Sequence, residues 1–275
     1  MSQASQPRIE REFAFNAQDF EFLSNLAYMR TGIVLKDHKF DMVYARIARR
    51  CRALGLATIR DYCALMASDE GHAELGNLVN AITTNLTSFF REPHHFDHLR
   101  AHVFEPFHRQ SSPRLRIWSA GCSAGAEAYS IAMTMQDTIP DIAKRDCKIL
   151  ATDIDTGMLE KAKRAEYSAE WIEKIPQALR QKYVSQNRIN EATRALVTFK
   201  QLNLLEGWPF KGPFDAIFCR NVVIYFDKQT QIPLFDRFAQ MLKPNGYLYI
   251  GHSESLHNVS TRFTLVDKTT YQQVS

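Results

Sequence analysis

The sequence predicts an α/β fold, a doubly wound Rossmann-like domain preceded by a small all-helical one, and three observations carry the prediction. From Leu115 to Ser119 (LRIWS) runs a short apolar stretch, followed by Ala120 to Gly125, where no side chain exceeds a thiol. A helical pattern then takes over, with Ala128, Ile131, Ala132 and Met135 on one face. Second, strand-like and helix-like segments alternate from there to the end, whereas the apolar spacing before residue 80 is helical. Third, the strand Cys147 to Thr152 ends in Asp153-Ile154-Asp155, which puts a carboxylate where a ribose would present its two hydroxyls.

Each element has a local reason. Asn16 starts a helix carrying Phe20, Leu23 and Ala27, and Gly32 ends it. Phe40, Val43, Tyr44, Ile47, Cys51 and Leu54 form the stripe of a second helix that ends at Gly55. Thr58 caps a third, and Leu75 to Ile82 is a fourth. Residues 1 to about 12 read as a polar tail. The segment Thr83 to Pro93 (TTNLTSFFREP) has enough hydrogen-bonding side chains to fold over a ligand as a lid, and Pro93 opens a linker helix. After the first two βα units come a helix at Met158 to Arg164 and a helical stretch, Trp171 to Tyr183, broken at Pro176. Then follow strands at Leu196 to Gln201 and Phe214 to Cys219, and a helix at Gln229 to Leu242 closed by Lys243-Pro244-Asn245-Gly246. A strand at Tyr247 to Gly251 and a terminal hairpin, Phe263 to Val266 with Thr270 to Val274, complete the chain. The expected domains are 1–80 (helical, substrate docking), 81–112 (lid and linker helix) and 113–275 (catalytic).

The small-residue turn brings backbone N–H groups close to a ligand. Gly121 and Gly125 stand four apart with no third glycine, which departs from the dinucleotide spacing and favours S-adenosylmethionine. Five strands plus an antiparallel C-terminal hairpin outline a class I S-adenosylmethionine-dependent methyltransferase core.

The bulk numbers exclude several classes. Among 275 residues, 45% are hydrophobic and 23% charged, as in ordinary globular proteins. No apolar run approaches the roughly 20 residues of a membrane span, and the N-terminus lacks a signal-peptide core, so the cytoplasm is the expected compartment. The five scattered cysteines form no C-x-x-C pair, which argues against disulfides and structural zinc. Net charge is only +4, but Lys36 to Arg60 holds seven basic residues against Asp37 and Asp41. Arg46, Arg49 and Arg50 on that helix suggest docking of an acidic partner. A nucleic-acid partner is not expected, because only Tyr44 is interleaved with the basic residues and no N-P-P-Y follows the fourth strand. His94, His98 and His102 stand at i,i+4 spacing without an H-E-x-x-H arrangement, and no metal is expected.

Several stretches together resemble the bacterial chemotaxis receptor methyltransferases (CheR type). They are Asn85 to Phe96 (NLTSFFREPHHF), Trp118-Ser119-Ala120, Ala151 to Asp155 (ATDID), Asn203-Leu204-Leu205, and Phe214 to Phe226 (FDAIFCRNVVIYF). The resemblance implies transfer of a methyl group from S-adenosylmethionine to glutamates on cytoplasmic receptor helices, leaving S-adenosylhomocysteine. A monomer is expected, and the resemblance also implies cofactor contacts at Asn85, Thr87, Arg91, Glu127, Asp153, Asn203, Leu204, Arg220 and Asn221. Two departures from the family pattern stand out. The turn keeps its second acid, Glu127, but has Ala126 in place of the first. The small inserted β-subdomain is reduced to Val184 to Arg194, short and without glycine, which weakens the case for tethering to a receptor peptide.

Glutamate is already ionised at neutral pH, so the transfer needs alignment and dehydration rather than a general base. Arg91 and Tyr225 are the catalytic candidates: a guanidinium can pair with a carboxylate, and a phenol can donate a directed hydrogen bond.

Overall fold

The computed structural model describes residues 11–110 and 114–274 and divides the chain into two compact units, 1–83 and 84–275. The expected lid and linker helix, 81–112, therefore fall almost wholly within the second unit.

The first unit holds α1 (Ala17–Thr31), α2 (Phe40–Leu54), α3 (Ile59–Ala67) and α4 (Leu75–Ile82). Asn16 accepts from Gln18 N and Asp19 N, while the Asp19 carboxylate accepts from Asn16 N. Thr58 and Asp61 form the same reciprocal cap on α3. Gly32 and Gly55 end α1 and α2 in the left-handed region. Leu23, Val43, Ile47, Cys51, Ile59 and Tyr62 are fully buried at the centre.

Two of the three arginines expected on a docking face are instead used inside this unit. Arg50 makes a two-pronged pair with Glu74 (Nε–Oε1 2.7 Å, Nη2–Oε2 2.8 Å), to which Tyr62 and Asn77 also donate. Burial would raise the Glu74 carboxyl, but these donors hold it below its ordinary value. Arg46 Nη1 donates to Ala81 O and Thr83 O, the carbonyls at the end of α4. Arg49 alone of the three is exposed.

In the second unit, α5 (His94–Leu99) runs through a π-turn, Arg100–Phe104, into α6 (Glu105–Arg109). Then come β1 (Arg114–Ala120), α7 (Ala126–Thr138), β2 (Asp146–Asp153), α8 (Thr156–Arg164), α9 (Ala169–Ile172) and α10 (Gln177–Tyr183). A small hairpin, β3 (Val184–Ser185) and β4 (Arg188–Ile189), precedes α11 (Glu191–Arg194) and β5 (Val197–Gln201). The chain continues as β6 (Phe214–Cys219), a 3₁₀ turn at Val223–Tyr225, α12 (Lys228–Met241), β7 (Leu242–Ile250), β8 (Phe263–Asp267) and β9 (Thr270–Gln273).

The main sheet has the order β5-β2-β1-β6-β7-β9-β8. The first five strands are parallel, whereas β9 pairs antiparallel with both β7 and β8. From β1 the chain steps outward through β2 to β5 and then returns to β6 on the other side of β1. That reversal opens a crevice beyond the carboxyl ends of β1 and β6. Alternate residues of each strand feed opposite layers. Trp118, Ile217 and Cys219 join the core with α12, while Ile117, Ala216 and Phe218 join the one with α5, α6 and α7.

Two details differ from the sequence expectation. Leu242, expected as the last residue of a helix, and Lys243 to Gly246, expected as a turn, open β7, with a register shift against β6 between Phe214 and Ala216 that accommodates Pro244. The inserted β-subdomain amounts to one hairpin of two pairs, turned at Gln186 and Asn187, both with positive φ (50° and 60°). The cysteines are free; Cys51, Cys122, Cys147 and Cys219 are buried, and Cys63 is half-buried.

Candidate functional site

The crevice floor is set by two turns. After β1, Gly121 has φ 82°, and a Cβ built there would lie 2.3 Å from Val222 Cγ2, so only glycine permits this approach to the turn after β6. Ser123 N donates to Asp153 Oδ2 (2.7 Å) and Asp155 N to Asp153 Oδ1 (2.9 Å), so the acid at the β2 tip also joins the β1 and β2 turns. Asp155 caps α8 through Met158 N (3.0 Å), as expected, and accepts from Asn85 Nδ2 (2.8 Å) on the lid segment. Burial pushes the Asp153 carboxyl up to about 6, against the pull of the N–H donors around it.

The second feature is a buried ion network centred on Arg220, at the β6 tip. Its Nη1 lies 3.4 Å from Glu127 Oε2 on α7, and its Nη2 lies 3.5 Å from Glu92 Oε2 and donates to the Arg91 carbonyl. Its guanidinium sits over Phe96, 5.7 Å from the ring centre. Ser119 Oγ donates to Glu127 Oε1 (2.7 Å). Burial raises the Glu127 carboxyl despite Arg220, while the Glu92 carboxyl, opposed by burial, is held down by His252 and Arg220.

The segment expected to act as a lid is strained. Phe90 (φ 49°) and Glu92 (φ 55°) both occupy the left-handed region on either side of Arg91, a conformation that is costly for a bulky aromatic residue. Phe90 N donates to Ser130 Oγ (3.0 Å), and Arg91 Nη1 donates to Leu86 O (3.0 Å), which ties the lid loop to itself.

The expected residues thus separate into groups. Asn85, Glu127, Asp153 and Arg220, with the Arg91 backbone, are bonded to one another's elements around the crevice. Asn221 lies beside Arg220 on the β6 turn, its N–H bonded to Glu254. Leu202 N donates to Asp153 O (2.9 Å), which brings the start of the Asn203-Leu204 stretch to the β2 tip; Leu204 is itself buried and Asn203 bonds Leu205 and Glu206. Thr87 is half-buried on the lid. Tyr225 is half-buried at the end of the 3₁₀ turn, and its hydroxyl has no hydrogen-bond partner among the described residues, unlike that of a satisfied core tyrosine.

Sequence reasoning missed Glu92, His252 and Glu254. His252 Nδ1 lies 2.9 Å from Glu92 Oε1, and the Glu254 carboxylate accepts from the backbone of the β6 turn. The available signal was an acid in the turn after an apolar strand. Of the histidines, His98 and His102 stack at 4.2 Å, and His98 Nδ1 meets Tyr249 Oη at 3.0 Å. Glu92, His94 and His95 bring ligand-type atoms within 4.8 Å of one another, but Arg220 already supplies the positive charge there.

Two buried polar atoms at the crevice, Ser123 Oγ and Arg220 Nε, have no hydrogen-bond partner among the described residues. A parallel sheet with this reversal, an acid at the β2 tip and a carboxylate–guanidinium pair suited to an amino-acid zwitterion define a class I S-adenosylmethionine-dependent methyltransferase.

The family description "CheR methyltransferase, SAM binding domain" matches residues 85–272 and "CheR methyltransferase, all-alpha domain" matches residues 18–83. The chain belongs to the CheR methyltransferase family. It is 43% identical over 258 residues to a probable chemotaxis protein methyltransferase of Rhizobium etli, covering 90% of this chain and 96% of that one. With the chemotaxis protein methyltransferase of Escherichia coli the identity is 42% over 273 residues, 96% of this chain and 93% of the other. With chemotaxis protein methyltransferase 2 of Pseudomonas aeruginosa it is 40% over 270 residues, 95% of each. No helix among the described residues is long and apolar enough to cross a membrane.

Proposed function

We propose that this protein methylates glutamate side chains on the cytoplasmic helices of chemoreceptors, acting in the cytoplasm as a single chain. The observation that carries the reading is the Glu127–Arg220–Glu92 network, which joins a cofactor-facing acid to the lid bearing Arg91. When bound, S-adenosylmethionine would supply an electrophilic methyl for a carboxylate oxygen, the carbon–sulfur bond breaking with its electron pair left on sulfur as S-adenosylhomocysteine. Glu127 would pair with its ammonium and Asp153 would accept from its ribose hydroxyls, with Asn85, Thr87, Asn203, Leu204, Arg220 and Asn221 lining the same site. Arg91 and the unpartnered Tyr225 hydroxyl orient the incoming glutamate, and the lid sheds its water. No proton has to move.

The deciding experiment transfers labelled methyl to a receptor cytoplasmic fragment and then applies mild base. Volatile methanol is the expected product; base-stable label, or label only on added RNA or DNA, would refute carboxyl methylation.

Docking onto an acidic receptor helix falls to Arg49, with Arg46 and Arg50 supporting the helix that presents it. Arg49→Glu is expected to raise KM for receptor fragment about threefold to tenfold at low salt, with the gap narrowing as salt increases. An unchanged KM would remove Arg49 from the interface.

Asp153 gives the site a pH dependence. Its raised value, about 6, means that the carboxylate needed by the ribose is lost as pH falls through that value. Affinity for S-adenosylhomocysteine, measured by calorimetry, should therefore rise between pH 5 and pH 7, to an extent of about tenfold per pH unit at most. Asp153→Asn should flatten that rise while weakening binding throughout; a profile unaltered by the substitution would exclude Asp153 as its source.

A further inference from the structure

We propose that Glu254 is the positioning residue of this site: its carboxylate holds the turn after β6 in the shape that presents Arg220, Asn221 and Tyr225 to the crevice. The proposal rests on the methyl-transfer reading above and adds a residue that touches neither cofactor nor acceptor.

The geometry is specific. Glu254 Oε2 accepts from Asn221 N (2.9 Å) and Gly251 N (2.5 Å), and Oε1 accepts from Val222 N (3.0 Å) and Ile224 N (3.3 Å). Three of these four donors belong to a turn some thirty residues earlier, so the carboxylate replaces the backbone pairing that an irregular turn lacks. Bonds to an ionised acceptor are about twice as strong as neutral ones, and Glu254 is only 7% exposed, so water does not compete for them. Asn221 has φ 60°, in the left-handed region that asparagine tolerates better than most residues with a side chain. Its amide occupies space that a Cβ on Gly251 would enter, since Nδ2 lies 2.3 Å from that position.

The same loop also reaches the lid, for His252 contacts Glu92 Oε1 at 2.9 Å. Gly251 to Glu254 therefore grips two walls of the crevice, the β6 turn through Glu254 and the Arg91–Glu92 segment through His252. A turn left to itself at a strand end samples many shapes, and misplacing a reacting group by about 1 Å costs on the order of 10²-fold in rate.

Glu254→Gln keeps the size but turns an amide toward the N–H donors, removing half of the acceptors. Glu254→Asp keeps the charge on a shorter arm. Both are compared with the parent in the full chain, below the onset of melting. In Glu254→Gln, backbone amides in 219–226 should exchange about tenfold faster, S-adenosylhomocysteine affinity should fall about tenfold, and kcat should fall on the order of 10²-fold. Glu254→Asp should recover part of each, and it carries the test if Glu254→Gln does not fold. Unchanged exchange at 219–226 would overturn the proposal, as would faster exchange with affinity and kcat both within twofold of the parent. Exchange and product binding need no methyl acceptor, so failure of the receptor-glutamate reading would be distinguished from failure of the role assigned to Glu254.

Discussion

Arg91→Ala is expected to abolish methyl transfer, a fall of at least about 10²- to 10³-fold in kcat, while the second unit stays folded. The side chain is partly open to solvent and donates to Leu86 O (3.0 Å), so its loss removes a guanidinium and loosens the lid loop without stranding a buried charge. The strain at Phe90 and Glu92 sharpens the expectation, because a backbone forced into that shape on both sides of one residue aims that residue. Arg91→Lys keeps the charge but not the planar fork, and should recover only a small part of the activity. Calorimetry with S-adenosylhomocysteine separates two causes: weakened binding marks lost lid closure, whereas normal binding with no turnover marks lost alignment of the acceptor. Near-normal turnover in Arg91→Ala would show that the lid has been misassigned.

The second large effect is on stability. Arg220→Met should destabilise the second unit by about 3–5 kcal/mol at pH 8, because Glu92 and Glu127 are left buried without their shared cation. The pH dependence follows from the sign of the shift. Burial already raises the Glu127 carboxyl, and without Arg220 it rises further while Glu92 loses one of the partners that hold it down, so the folded variant binds protons more tightly than the parent does. Stability thus returns as pH falls toward the ordinary carboxylate range and is lost as pH rises through the raised folded values. Urea unfolding at pH 8, 6 and 5 should show the deficit shrinking stepwise. A deficit independent of pH would assign the cost to lost packing over Phe96 instead.

The fold was legible because its signals are local. Phe214 to Cys219 and Leu75 to Ile82 have the expected limits, since apolar runs bounded by polar residues mark themselves. Asn16, Gly32, Gly55 and Thr58 mark helix ends by chemistry confined to a few residues. Pairings across long stretches of chain were not legible. Arg50 finds Glu74 twenty-four residues on, and Arg46 finds the carbonyls after α4, so two arginines that read as a solvent-facing patch belong to the interior architecture. Motifs pointed to candidate residues around the crevice, but Glu92 and Glu254 meet partners 128 and about thirty residues away along the chain. The start of β7 was obscured by Pro244 and Gly246, which look like a turn until a neighbouring strand accepts them with a shifted register.

The placement of the thiols has a practical consequence. Burial raises the Cys51 thiol to about 11 and the Cys122 and Cys219 thiols well above their ordinary value, so these groups are both shielded and scarcely ionised in the folded chain. Alkylating reagents should therefore modify them only when the surrounding structure opens. Because Cys51 lies in the first unit and Cys122, Cys147 and Cys219 in the second, mass-resolved labelling would time the opening of each unit separately within one molecule. The native cysteines are already a two-channel clock for unfolding, with no probe to be engineered in.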